Sequence, residues 1–128
     1  MRLLLDTNVF LWLVQQEPIP AGVLAQLEDP SNELFASLVT PWEMQIKVGV
    51  GKLKLAQSVR SVFQAQLIAS SMTLLPIALD HIDALSRLPN HHRDPFDRLL
   101  IAQAIHEGLT IVSSDHQIRL YPVAWLWD

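Results

Sequence analysis

Short apolar runs and longer amphipathic stretches take turns along this 128-residue chain. Leu3 to Leu5 is a compact apolar run that stops at Asp6, the pattern of a buried strand. Asn8 to Gln15 has helical spacing, Pro18 and Pro20 interrupt it, and Ala21 to Glu28 resumes a helix with Val23, Leu24 and Leu27 on one face. Leu34 to Ser37 predicts a second strand. Thr40-Pro41 then predicts a helix start, with proline at the first helical position, where its missing N–H is harmless. Gln57 to Ser70 is an amphipathic helix with Val59, Val62, Phe63 and Leu67 on one stripe. Leu74 to Ala78 predicts a third strand, and Asp80 a cap for a short helix carrying Ile82, Leu85 and Leu88. Pro95 opens a further helix that buries Leu99, Leu100, Ala102 and Ile105 and ends at Gly108. Thr110 to Ser113 predicts a fourth strand and Val123 to Trp127 a fifth at the edge. Strands alternating with helices pair in parallel. The expectation is one α/β domain over residues 1–128, a central parallel sheet of four to five strands with helices on both faces.

In such sheets a ligand site lies beyond the carboxyl ends of the strands, near the point where strand order reverses. Asp6 ends the first strand, Glu43 follows the second, and Asp115 stands two residues past the fourth. Residues distant in sequence are thereby delivered to one rim. Each acid also has a local structural role open to it. Asp6 suits a helix N-cap. Thr40 to Glu43 has the capping-box spacing. Asp94 can cap the helix that Pro95 opens, with Asp97 in its first turn, where the helix dipole favours negative charge. Asp115 can cap the turn from His116 to Arg119. Together, however, carboxylates converging on one rim repel one another, and burying them unpaired is costly. A divalent cation relieves this, and an all-oxygen ligand set selects magnesium or manganese over zinc.

Charge distribution changes the picture more than the net charge of −4 does. Residues 1–43 hold six acids and only Arg2 as a base, whereas residues 44–79 hold Lys47, Lys52, Lys54 and Arg60 and no acid. Cations to hold phosphates beside carboxylates to hold a metal are what a metal-dependent phosphodiesterase needs. There is no cysteine, which removes disulfides, thiolate zinc sites and cysteine nucleophiles together. The five histidines form no zinc pattern, and His91-His92 has the character of a surface pair. No serine nucleophile motif or glycine-rich phosphate loop appears. What remains is water activated by a carboxylate-held metal for in-line attack on a phosphodiester. Thr7, Asn8, Ser113 and Ser114 lie beside the acids and can orient water or metal; turn chemistry is the alternative use for them. With no signal-peptide pattern and no membrane-length apolar stretch, the expectation is a soluble, cytoplasmic protein.

Four segments in order now carry a resemblance: Leu5-Asp6-Thr7-Asn8-Val9-Phe10-Leu11-Trp12; Trp42-Glu43 with Lys47 and Gly51-Lys52-Leu53; Arg93-Asp94-Pro95-Phe96-Asp97-Arg98 running on to Ala104; and Ile111-Val112-Ser113-Ser114-Asp115. Together they resemble the PIN-domain ribonucleases, in particular the VapC-like toxins of bacterial toxin–antitoxin pairs. The resemblance implies a metal-binding quartet of Asp6, Glu43, Asp97 and Asp115 holding Mg²⁺ or Mn²⁺. It also implies an endoribonuclease, a partner antitoxin that holds it inactive, and a homodimer. Lys47, Lys52, Arg93 and Arg98 are candidate RNA contacts. Two positions depart from the family's habit, Pro41 before Trp-Glu and Ser113 where threonine is common, and neither damages the acidic set.

Two other classes place an Asp after a first strand. A phosphorelay receiver needs a late lysine, and the only lysines here are the early Lys47, Lys52 and Lys54. A haloacid-dehalogenase-type phosphatase needs a second Asp two residues on, where this chain has Asn8. A PIN domain that binds without cutting is the remaining alternative, and four intact acids oppose it. Trp12 is expected in the core, and the C-terminal Trp125 and Trp127 at a subunit or antitoxin interface.

Overall fold

The computed structural model describes residues 1–91 and 94–128. Five strands, β1 (Arg2–Leu5), β2 (Glu33–Ser37), β3 (Met72–Leu75), β4 (Thr110–Val112) and β5 (Trp125–Leu126), form one sheet in the order β3-β2-β1-β4-β5. All the pairings are parallel. The order reverses at β1, which lies between β2 and β4, so the rim beyond β1 and β4 is the switch point.

Alternation along the strands builds two cores. Leu3 and Leu5, with Leu34, Ala36, Met72 and Val112, face α1 (Thr7–Gln15), α2 (Ala21–Glu28) and α4 (Val59–Ala69), where Phe10, Val23, Leu27 and Phe63 meet them. Leu4, Phe35, Leu75 and Ile111 point to the opposite face and pack under α6 (Pro95–Glu107) with Leu99, Leu100, Ile101 and Ala104. Short α5 (Leu79–Ala84) lies against α6, and α3 (Val39–Gly49) sends Val39 to one core and Met44 to the other. No helix among the described residues is long and apolar enough to cross a membrane.

Several predicted boundaries move, each for a physical reason. β3 runs two residues earlier than Leu74 to Ala78, its ladder with β2 ending at Ser37 and Leu75. Pro76 has no N–H to extend it. Helix α3 begins at Val39 rather than at Pro41, and the Thr40–Glu43 capping box does not form. The Ser37 hydroxyl instead accepts the Val39 N–H (3.0 Å), while the Thr40 hydroxyl bonds that of Thr7 (3.3 Å). Pro41 becomes the third helical residue, still within the first turn, where N–H groups have no intrahelical partner. Asp80 does not cap α5. Ala78 holds the cap position, and its N–H donates to His81 Nδ1 (2.9 Å). Ile82 is exposed, and so is Ile105, expected among the buried residues of α6.

The tryptophans also redistribute. Trp12 is half-buried and its ring meets Trp127 at 5.7 Å, while the Trp125 N–H donates to the Ser113 carbonyl (2.8 Å). The C-terminal pair thus packs partly buried against the protein's own core. The exposed indole is Trp42, 51 % accessible and edge-on to Phe96.

Candidate functional site

β1 delivers Asp6 to the switch-point rim. Asp6 is 8 % accessible and caps α1, one carboxylate oxygen accepting the Val9 N–H (2.8 Å). β4 ends at Val112 and leaves Ser113 buried beside it; the Ser113 hydroxyl bonds Asp6 and accepts the Asp115 N–H (3.1 Å). A single hydroxyl therefore links the Asp6 carboxyl to the backbone of Asp115. Asp115 in turn caps the 3₁₀ turn His116–Leu120 through the Gln117 N–H (2.9 Å).

Glu43 comes from the first turns of α3. One oxygen pairs with Lys47 one turn on (3.4 Å), and the other, Oε1, is buried with no hydrogen-bond partner among the described residues. Lys47 also reaches the Asn8 side-chain oxygen at 3.5 Å, so this cation spans α1 and α3 above the acids. Burial pushes the Asp6 carboxyl up to about 6 from its ordinary 3.8. The hydrogen bonds from Ser113 and Val9 oppose the rise, and the nearby charges of Glu43 and Asp115 add to it. Asp6 is thus the strained member, a carboxylate in a dry place beside two others.

Asp97 is half-buried in the first turn of α6, and Asp94 is the exposed cap, accepting the Phe96 (2.8 Å) and Asp97 (3.3 Å) N–H groups. The starts of α3 and α6 stand side by side, since the Trp42 and Phe96 rings meet at 4.8 Å. Glu43 and Asp97 each follow one of those rings in sequence. Among the described residues, no three acidic or histidine side chains already surround a common point as a finished ligand shell. Asp6, Glu43 and Asp115 are held instead by the local bonds just described.

Of the remaining candidates, Thr7 is buried against Thr40, Asn8 is exposed beneath Lys47, and Ser114 is half-buried at the rim. Lys52 is exposed in the turn after α3, and Arg98 is tied to the Pro89 carbonyl (2.8 Å). Arg93, and His92 of the supposed histidine pair, lie outside the described residues. Composition gave no warning of a second polar cluster, in which His81 (2 % accessible) donates from Nε2 to Glu107 (3.0 Å). This hydrogen bond is the main reason the Glu107 carboxyl sits below its usual range. His106 and Asp80 lie beside it. It is not arranged as a zinc site, because the Ala78 N–H occupies Nδ1 and leaves the ring proton on Nε2, the nitrogen facing the carboxylate.

The PIN domain family model matches residues 3–124. No curated protein matches the chain. Among solved structures, the fold is similar to VapBC2 from Rickettsia felis, determined bound to a promoter DNA fragment (TM-score 0.75, 19% identity, 100% of both chains covered). It is similar also to VapBC-1 from nontypeable Haemophilus influenzae (TM-score 0.66, 20% identity, 98% of this chain and 97% of that one). DNA-bound VapBC from Salmonella typhimurium shares it too (TM-score 0.67, 17% identity, 98% and 97%). Sheet order, switch-point rim and family match agree: the chain belongs to the PIN domain family.

Proposed function

We propose that this chain is a metal-dependent endoribonuclease, with Asp6, Glu43, Asp97 and Asp115 holding Mg²⁺ or Mn²⁺. The observation that carries this is the desolvated, unpartnered Glu43 Oε1 beside a buried Asp6 whose ionisation is resisted. Buried carboxylate oxygens without donors are expensive, and a hard divalent ion is the partner they suit. The donor set is all oxygen, so the residues fit such an ion. When bound, the ion supplies charge neutralisation and an activated water for phosphodiester hydrolysis.

The chain's own groups do the rest. The Ser113 hydroxyl holds Asp6 and the backbone of Asp115 in one register. The Thr7–Thr40 bond fixes α1 against α3. Lys47, partly exposed on a flexible stem at the rim, can turn from Glu43 to a phosphate oxygen of the incoming strand. Single-stranded or looped RNA is the substrate such an open rim suits. We further propose that the chain is the toxin of a toxin–antitoxin pair, a homodimer in the cytoplasm held inactive by a small partner protein. The similar solved complexes, named VapBC, support this.

Incubating the purified chain with single-stranded RNA is expected to show cleavage with Mg²⁺ or Mn²⁺ and none after exhaustive EDTA treatment. Expression alone should arrest growth, and co-expression with the neighbouring small reading frame should relieve the arrest. Cleavage that survives EDTA would overturn the metal assignment. Harmless expression, with no complex formed, would overturn the toxin assignment.

A further inference from the structure

Two of the acids come from separate helices, and something must set the distance between Glu43 on α3 and Asp97 on α6. Gln103 is on α6, 0 % accessible, and its Oε1 accepts the hydroxyl proton of Ser37 at 2.6 Å. Ser37, also fully buried, ends β2 and receives the Val39 N–H at the first residue of α3. Leu38, the residue in the cap position, makes no side-chain cap of its own. The start of α3 is therefore held by a hydroxyl whose direction α6 controls. Within this otherwise apolar layer the Ser37–Gln103 and Ser37–Val39 bonds together make a polar tie, through the end of β2, between the helix carrying Glu43 and the helix carrying Asp97.

The direction of every bond in the chain is determined. The Ala78 N–H must donate, so His81 Nδ1 carries a lone pair. Gln103 Nε2 faces the Pro76 carbonyl at 3.2 Å and the same Nδ1 at 3.3 Å, where it shares the one lone pair with the Ala78 N–H; both are acceptors. The amide nitrogen must point there and the amide oxygen toward Ser37. Ser37 then gives its proton to Gln103 and keeps a lone pair for Val39. Rotating the Gln103 amide would set oxygen against two acceptors, leaving several buried groups unsatisfied at once.

We propose that His81, Gln103 and Ser37 are positioning residues, a buried relay that sets the start of α3 and so the place of Glu43 relative to Asp97. This rests on the metal-nuclease reading above. None of the three touches the metal or the RNA; they act through α3.

The test compares Ser37→Thr with Ser37→Val, two side chains of one shape that differ by the hydroxyl, alongside Gln103→Leu. Leu27→Ala, a truncation in the core on the opposite face of the sheet, controls for lost stability. Two readouts are taken well below each melting temperature: Mn²⁺ affinity by titration, and amide exchange at Val39 and Thr40 in metal-free protein. Ser37→Val and Gln103→Leu are expected to weaken Mn²⁺ binding about tenfold or more, the usual scale for losing a group that orients a ligand. They should also speed exchange at Val39, while Ser37→Thr and Leu27→Ala stay near wild type. Val and Thr variants that agree in both readouts would overturn the relay, as would an equal loss in Leu27→Ala. If the wild type binds no Mn²⁺, the metal reading fails, and the exchange comparison alone then decides for or against the relay.

Discussion

Asp6→Asn is expected to make the metal-free protein more stable at neutral pH and, in the same stroke, deaf to magnesium and manganese. In the folded chain the Asp6 carboxyl is pushed up from 3.8 to about 6, chiefly by burial. Between those values the folded protein holds a proton that the unfolded chain has released, so stability falls as pH rises through that window. Above pH 6 the carboxylate carries the whole penalty, roughly 3 kcal/mol at 1.36 kcal/mol per pH unit. Asparagine removes the charge and caps a helix about as well as aspartate, so the Val9 hydrogen bond survives. The melting temperature should rise by on the order of 10 °C at pH 7.5, and the gain should shrink toward pH 4.5, where the wild-type carboxyl is largely protonated. Adding Mn²⁺ should reverse the ranking. A saturating ion stabilises only the form that binds it, by about 4.1 kcal/mol at a thousand times its dissociation constant, which exceeds the penalty. Thermal melts of both proteins at two pH values, with and without Mn²⁺, read the whole pattern. A metal-free Asp6→Asn protein less stable than wild type would sink the claim that Asp6 is strained, and an undiminished Mn²⁺ response would remove Asp6 from the ligand set.

Strand and helix order was legible because the apolar run Leu3 to Leu5 and the alternation of elements leave few topologies open, and a parallel sheet sends strand ends to one rim. Asp6 and Asp115 could be placed there from sequence because each follows a buried strand within three residues. The start of α3 was not legible. Thr40, Pro41 and Glu43 have good capping chemistry, but a tertiary contact, the Thr7–Thr40 hydroxyl pair, takes Thr40 inside the helix and leaves Glu43 without its local role. The capping explanation for Glu43 therefore loses its basis, and its buried oxygen is left needing another partner. The relay through His81, Gln103 and Ser37 was invisible for a different reason. Its members lie 22 and 66 residues apart, and a glutamine within an apolar helix has no sequence signal that distinguishes it from a surface residue. The exposed Trp42 was missed likewise, since an indole near a helix start reads as core until the surrounding packing is known.

Asp97→Asn is expected to abolish RNA cleavage, whereas Asp94→Asn, three residues away, is expected to leave it close to wild type. Asp94 precedes Pro95, whose ring fixes the first helical residue, and its carboxylate oxygen takes the Phe96 and Asp97 N–H groups. Those bonds are satisfied equally by an asparagine oxygen, so stability should move by no more than about 0.5 kcal/mol. Asp97 is in the helix's first turn, half-buried, on the α6 end whose Phe96 ring meets Trp42 of α3. A neutral amide there keeps the size and the helix but removes the charge that a divalent ion requires. Several kcal/mol of transition-state stabilisation depend on that ion, which converts to roughly a thousandfold in rate. Single-turnover cleavage of a labelled RNA, run at saturating Mg²⁺ and again at tenfold higher Mn²⁺, separates a weakened ion from a lost cap. Asp97→Asn should be partly rescued by the higher Mn²⁺ and Asp94→Asn should need no rescue. Were Asp94→Asn the dead enzyme and Asp97→Asn the active one, Asp94 would be the ligand and the first-turn position merely a favourable charge at the helix N-terminus.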